Sequence, residues 1–171
     1  MIGNSIGLLL LRAVLGLTLA AHGAQKLFGS FGGPGLKGAA VVMEQLGFTP
    51  GRRNALAAGL FEFGGGLLLV LGAATPVAAA VSFSVMIVAG VSAHLKGGFF
   101  LQNHGYEYTL VLGLAALSLA FTGPGPLSLD ALFGVDFAGA SLGVAALIAG
   151  IAGAAVQLAT RHVPAPVLQA P

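Results

Sequence analysis

The sequence lacks cysteine and contains few charged residues. Its 171 residues include seven Lys or Arg and five Asp or Glu, so that 7% are charged, whereas about 25% are charged in a soluble domain. So few charged side chains cannot cover a surface that faces water. The absence of cysteine excludes disulfides, thiol redox chemistry and thiolate metal sites within this sequence. A net charge of +2 is too small to indicate nucleic acid as a partner.

What the sequence contains instead is apolar and small residues. Hydrophobic residues make up 57% of the chain, and the mean hydropathy is +0.97. The chain also contains 28 glycines, and small residues let helices approach each other closely inside a bilayer. The composition therefore predicts an integral membrane protein whose main partner is the lipid bilayer.

Five apolar segments approach the length of a membrane-crossing helix, which is about 20 residues. The first lacks a basic n-region and a convincing cleavage site, so we interpret it as a helix of the mature protein. Pro124 and Pro126 end the fourth. The predicted spans are residues 6–24, 54–73, 77–95, 106–121 and 138–159.

Residues 25–53 form the longest connection between spans. They contain the glycine-rich stretch GSFGGPG, followed by apolar residues near helical spacing from Leu36 to Leu46. The stretch lacks the GK[ST] of a P-loop, so we interpret it as a re-entrant turn rather than a phosphate-binding loop. The apolar residues predict a short helix that lies on the membrane surface or dips into it.

The distribution of basic residues predicts the orientation. If all five spans cross, residues 25–53, the 96–105 loop and the tail after Ala159 lie on one side. That side carries six of the seven Lys and Arg, and the opposite side carries only Asp130 and Asp136. Because basic loops stay in the cytoplasm, we expect a multi-pass protein of the cell (inner or plasma) membrane. Its N-terminus would lie outside and its C-terminus in the cytoplasm.

Arg12 and Glu62 are ionisable residues near the middle of the first and second spans. A carboxylate at that depth is costly unless it is protonated or paired, and arginine keeps its charge. Because consecutive spans run antiparallel and side by side, we expect a buried Arg12–Glu62 ion pair. The pair either fixes helix packing alone or lines a polar site, since ionisable residues inside a membrane are functional candidates.

More polar residues collect where the spans meet the basic side. His22 and Lys26 are four residues apart and share a helix face, the third span ends with His94, and the fourth begins with Tyr106 and Glu107. They either anchor the helices at the interface or line the mouth of a polar cavity. The spacings match no H-E-x-x-H or H-x-x-E-H motif, so we predict no metal site. The predicted ligand-binding residues are Arg12, His22, Lys26, Glu62, His94, Tyr106 and Glu107.

A quinone is the ligand that best suits such a cavity. Its carbonyls accept hydrogen bonds from Arg, His or Tyr, and His and Glu can relay protons. Its isoprenoid tail needs an apolar groove, which helices rich in Gly and Ala can leave open. The sequence contains no flavin, haem or iron–sulfur motif, so the chain cannot perform redox chemistry without a borrowed cofactor.

An R-x9-HG-x2-K run in the first span is followed by an E-x-G in the second and an H…G-x-E in the third and fourth. In this order of motifs the sequence resembles the DoxX family of small bacterial and archaeal membrane proteins. The family's recurrent polar positions fall on Arg12, His22, Lys26, Glu62, His94 and Glu107. The matching stretches are LLLRAVLGLTLAAHGAQKLFGSFGGPGLKG at 9–38, MEQLG at 43–47, FEFGGGLLLVLG at 61–72, AHLKGGFF at 93–100, GYEYTLVL at 105–112 and GPGPLSLDALFG at 123–134.

The resemblance implies an all-α membrane protein built on a four-helix transmembrane bundle, residues 1–134. Residues 135–171 would add a C-terminal transmembrane helix and a short tail. The resemblance also implies association with oxidoreductase systems. The related DoxD subunit belongs to a thiosulfate:quinone oxidoreductase, and some DoxX proteins join a superoxide dismutase and a sulfurtransferase in a membrane complex.

Two functions remain open at this point. The chain is either a membrane subunit of a redox system that interacts with quinone, or a non-catalytic transporter, lipid-binding or scaffold protein. The missing cofactor motif favours a subunit over a complete enzyme. We also expect self-association or docking of redox partner proteins through the fifth span, whose Gly139–Gly143 and Gly150–Ala154 pairs form small-x3-small faces.

Cysteine labelling tests the predicted orientation, because the chain has no cysteine of its own. Single cysteines at Ser30 and Ser128 place one thiol on each side of the membrane. An impermeant maleimide applied to intact cells should label the cysteine at position 128 and leave that at position 30 unlabelled. The reverse pattern would overturn the orientation.

Overall fold

A computed structural model describes residues 2–162, which form seven α-helices and no strand. The long helices follow apolar runs, and each break falls at Gly or Pro. The first break is at Gly29, and Gly72 ends the third helix in the left-handed conformation. The helices are α1 (Ile2–Phe28), α2 (Gly35–Gln45), α3 (Gly51–Leu71), α4 (Thr75–Ala89), α5 (Glu107–Thr122), α6 (Leu129–Leu132) and α7 (Ala140–Ala159).

Four helices in the described part of the chain are long and apolar enough to cross a membrane. They are α1, α3, α7 and α4, the last together with the π turn Gly90–His94 that prolongs it. Helix α5 has 16 residues, fewer than the about 20 of a typical crossing. The protein is therefore an all-helical membrane protein, and a fifth crossing at α5 stays a prediction.

The helices α1, α3, α4 and α5 form a four-membered ring, in which each packs against the next and α5 closes on α1. Their shared core contains Leu15, Leu19, Leu69, Met86 and Leu119. Helix α7 packs on the outside of the ring against α4 and α5, whereas α2 packs against α3 and α1. The predicted short helix between the first two spans is thus present as α2.

The contact between α1 and α3 is the closest in the ring. Gly16 of α1 lies against Gly66 of α3, and Gly23 lies against Gly59. At each of the four positions a Cβ, if added, would collide with the facing helix. Two antiparallel backbones can meet this closely only where side chains are absent, so these glycines set the register of the two helices.

Six basic residues lie in the connections or in the helix ends next to them at one end of the ring, which we call the basic end: Lys26, Lys37, Arg52, Arg53, Lys96 and Arg161. Arg161 joins these connections because its Nε donates to the Leu46 carbonyl and its guanidinium to the Ser92 carbonyl, 3.2 Å away. The segments predicted to share one side do lie together. The remaining tail, residues 163–171, lies outside the described residues.

Asp130 organises the opposite end of the ring. Its carboxylate accepts hydrogen bonds from the Ala74 amide (2.7 Å), the Thr75 amide (3.0 Å) and the Thr75 hydroxyl (2.7 Å). It therefore caps the N-terminus of α4, where free amides and the helix dipole favour a negative charge. The cap comes from α6, 55 residues further along the chain, so sequence patterns near α4 did not indicate it.

The small-residue faces of α7 pack within the protein against other helices. Gly143 packs on the ring of Phe121, Gly150 packs on Phe83, and Ala154 is 1% exposed. The expectation that Gly139–Gly143 and Gly150–Ala154 mediate self-association is therefore wrong for Gly143, Gly150 and Ala154, because α4 and α5 already cover these positions. Homo-oligomerisation through another face of α7 stays a prediction.

The α1–α3 contact predicts opposite effects for two neighbouring glycines. Gly66→Ala should lower the free energy of unfolding by about 1–3 kcal/mol, because its methyl would collide with the α1 backbone at Ala20. Gly64 has no atom within 4 Å of an added Cβ, so Gly64→Ala should be neutral or stabilise by up to about 1 kcal/mol through helix propensity. Unfolding in detergent measures both, and equal effects would contradict this account.

Candidate ligand-binding site

Arg12 binds the C-terminal end of α3. Its side chain is 0% exposed and donates to the carbonyls of Leu69 (3.5 Å), Val70 (3.2 Å) and Leu127. The last carbonyls of a helix have no partner in the helix and carry partial negative charge, so the guanidinium satisfies them. Asp130 supplies a nearby full negative charge, although no salt bridge joins the two within the described residues.

Glu62 pairs with Lys26, and the predicted Arg12–Glu62 ion pair is wrong. The α1–α3 register places Glu62 level with His22, ten residues or about 15 Å along the helix from Arg12. Side chains of a helix lean toward its N-terminus, so Lys26 leans back from the basic end to the depth of Glu62. Glu62 is 5% exposed, and the side chain of Lys26 is 25% exposed.

His22 lies on the same helix as Lys26 but contacts α5. Its Nε2 is 3.3 Å from the hydroxyl of Tyr108, and the two rings meet edge to face with centroids 5.9 Å apart. Tyr108 is not among the seven residues predicted from the sequence for the site. The contact joins α1 to α5 at the basic end.

His94, Tyr106 and Glu107 hold the loop between α4 and α5. The Nδ1 of His94 is 3.0 Å from the His104 carbonyl, and the Glu107 carboxylate accepts from the Leu101 amide at 2.9 Å. The ring of Tyr106 packs edge to face on Phe99, with centroids 5.6 Å apart. These contacts give all three residues a structural role in the loop.

The seven predicted residues thus lie in three places: Arg12 near the opposite end, Lys26 and Glu62 between α1 and α3, and the others near α5. Among the described residues, no group of three or more His, Asp or Glu could hold a metal ion. Their binding of a ligand stays a prediction.

A groove of about 510 Å³ lies between α3, α4 and α7. It begins at Pro76 and Leu142 near the opposite end and reaches Gln157 and Phe48 at the basic end. None of the seven predicted residues lines it. Small residues of α7 leave the space, namely Ala145, Ala149 and Gly153 at four-residue spacing.

The groove is almost entirely apolar, and among residues 2–162 only Ser84 and Gln157 line it with polar side chains. Gln157 Nε2 donates to the Asn54 side-chain oxygen at 3.0 Å, which links α7 to α3 across the basic end of the groove. The Ser84 hydroxyl has no hydrogen-bond partner within residues 2–162. These two side chains are thus the groups in the groove that can bind a polar ligand atom.

A smaller cavity of about 180 Å³ lies between α4 and α5 beside the π turn. Tyr106 lines it together with Gly90 and Gly113, whose missing side chains keep the two helices close. Its remaining lining is apolar apart from Thr109, whose hydroxyl already donates to the Tyr106 carbonyl at 2.9 Å.

Because Lys26 and Glu62 form an ion pair, we expect the effects of substitutions at the two positions on stability to be coupled. Glu62→Gln or Lys26→Met should each lower the free energy of unfolding by about 3 kcal/mol, because each leaves the other charge in the bundle without its partner. In the double variant the loss in free energy of unfolding should be clearly smaller than the sum of the two single losses, as measured by unfolding in detergent.

Arg12→Gln combined with Glu62→Gln is the matched control for this cycle. Because the two side chains do not contact each other, their effects should add to within about 0.5 kcal/mol. Additive losses for Lys26 and Glu62, or strong coupling of Arg12 with Glu62, would contradict the pairing.

Comparison with known proteins gives one match. No curated protein and no solved structure matches the chain. A sequence profile of the DoxX family matches residues 7–95, slightly more than half of the chain. The match covers α1 to α4, which include two walls of the groove, but not α7. We conclude that this membrane protein belongs to the DoxX family.

Proposed function

We propose that the protein is a membrane subunit of a redox system and that it binds a quinone whose isoprenoid tail occupies the groove between α3, α4 and α7. The observation that carries this proposal is the groove itself, about 510 Å³ of space with a nearly continuous apolar lining. Ligand sites are concave and mostly apolar, with a few polar groups that orient the ligand.

The length of the groove supports a long tail. Leu142 and Gln157 line its two ends and are 15 residues apart on α7, which corresponds to about 22 Å. One leaflet contributes about 15 Å to the hydrocarbon core. A ligand whose head and tail together fill the groove therefore extends past the middle of the bilayer, which suits a quinone with an isoprenoid tail better than the acyl chain of a lipid in one leaflet.

The lining supports binding rather than catalysis by this chain. No titratable side chain of the described residues lines the groove, so protons and electrons for a bound quinone would come from partner proteins. We place the basic end in the cytoplasm, with α7 as a transmembrane helix added to the DoxX bundle of residues 1–134. Redox partners would then dock from either face of the membrane.

A lipid-binding function without redox partners is the second candidate. One observation favours it: the groove is open along its side, where Phe61 and Val77 are 54% and 60% exposed. A phospholipid chain from the bilayer could enter there as easily as a quinone. The identity of the bound lipid therefore separates the two functions.

Lipid extraction from protein purified with its native lipids tests the proposal. Mass spectrometry of the extract should detect a quinone at a fixed ratio to protein, and the pure protein should bind a short-tailed quinone. Finding phospholipid alone, with no quinone binding, would support the lipid-binding function and overturn the redox proposal.

A groove-filling variant tests where the quinone binds. Ala149→Phe places a ring inside the groove and should reduce quinone affinity at least tenfold, whereas Ala155→Phe is the matched control on the side of α7 away from the groove. Both positions are exposed to lipid in the free protein, so both variants should fold. Equal affinities in the two variants would place the quinone elsewhere.

A further inference from the structure

We infer that Ser84 and Gln157 hold the two carbonyl oxygens of the quinone ring, so that the head lies in the half of the groove nearer the basic end. This inference rests on the proposed function, since it assigns the head of the same ligand. Both residues contribute polar side chains to a lining that is otherwise apolar.

Ser84 faces the groove from α4. Its hydroxyl oxygen lies 3.0 Å from the position that a Cβ would occupy on Gly153 of α7, so the hydroxyl stands at the point where the two helices approach. No group among residues 2–162 accepts or donates a hydrogen bond to it. A hydroxyl in an apolar membrane groove without a partner is costly, and a ligand carbonyl would satisfy it.

Gln157 faces the groove from α7, four residues after Gly153. The two positions share a helix face and are separated by about 6 Å along the axis. Gln157 has a long side chain, so its amide and the Ser84 hydroxyl can contact opposite edges of one six-membered ring, each about 3 Å beyond a carbonyl oxygen. One N–H of the Gln157 amide donates to Asn54, and a primary amide has a second N–H and an oxygen to offer a ligand.

The chemistry of these two groups suits both redox states of a quinone. An oxidised quinone only accepts hydrogen bonds, whereas the reduced form carries hydroxyls that also donate. A serine hydroxyl and a glutamine amide can each donate or accept. Neither group changes charge, so the site can retain the ring before and after reduction by a partner without exposing a charge in the apolar groove.

The remainder of the groove then accommodates the tail. From Ser84 toward Pro76 the lining on α4 is apolar and spans eight residues, or about 12 Å. The head and tail positions together assign an orientation, with the ring toward the basic end. They also make α7 a required part of the site, although the family match ends at residue 95.

Two matched pairs of substitutions test the inference. Ser84→Ala and Gln157→Met should each weaken binding of a short-tailed quinone about three- to tenfold, as expected for one lost hydrogen bond. Ser82→Ala is the control on the same helix, because Ser82 is 1% exposed and packs against α3 rather than the groove. Gln102→Met is the control for Gln157, since Gln102 is exposed outside the groove.

Infrared spectra of a quinone labelled with ¹³C at one carbonyl report whether a side chain contacts that carbonyl. A purely structural role of Ser84 or Gln157 would leave the carbonyl band frequencies unchanged. In the wild type, each carbonyl band should lie below its frequency in detergent alone. Ser84→Ala should return one band to the detergent value and Gln157→Met the other, while the controls leave both unchanged.

The outcomes separate this inference from the proposed function. If the wild type binds no quinone, the proposed function fails and the inference fails with it. If the wild type binds quinone but Ser84→Ala and Gln157→Met retain both affinity and carbonyl bands, the head lies elsewhere and the proposed function stands. Loss of affinity without a band shift, together with a lower melting temperature, would make Gln157 a purely structural link to Asn54.

Discussion

The close contact of α1 with α3 is the constraint on which the remaining polar contacts depend. Gly16, Gly23, Gly59 and Gly66 remove the side chains that would separate the helices, and the backbones interlock in one register. That register carries Arg12 to the last carbonyls of α3 and Glu62 to the reach of Lys26. A shift by one turn would leave charges of both signs in the bundle without partners, at a cost of several kcal/mol each. The glycine contact and the charge pairing therefore specify the same arrangement.

Much of the fold follows from hydrophobic length and from Gly and Pro positions. The long apolar runs, the short helix between the first two spans and the shared location of the basic connections can all be predicted, since each depends on local composition. The partner of Glu62 cannot be predicted this way. Depth counted from the start of each span suggested Arg12, but helix α1 begins at residue 2 and is longer than the predicted span, so equal counts do not mean equal depth.

The groove could not be predicted from the sequence either, because its position also depends on how the helices pack. Ala145, Ala149 and Gly153 have the spacing of a helix-packing face, and the sequence cannot say whether such a face is filled or left empty. In the structure Gly143 packs on Phe121 of α5, Gly150 packs on Phe83 of α4 and Ala154 is 1% exposed, whereas open space separates Ala145 and Ala149 from α3. The sequence prediction of the site relied on polar residues because they are rare inside a membrane, yet in the structure most of them bind backbone groups or each other. The groove is instead marked by two neutral side chains, Ser84 and Gln157.

The lateral opening of the groove, where Phe61 and Val77 are largely exposed, has a kinetic consequence. A ligand already dissolved in the bilayer can slide sideways between α3 and α7 without parting the α1–α3–α4–α5 ring. Its entry rate would then follow lateral diffusion and its concentration in the membrane, rather than the slower microsecond-to-millisecond opening of a packed bundle. Its dissociation rate would depend on how long the two polar contacts and the apolar lining retain it. Dwell time in the groove, and not a gating motion, would limit exchange with the membrane pool.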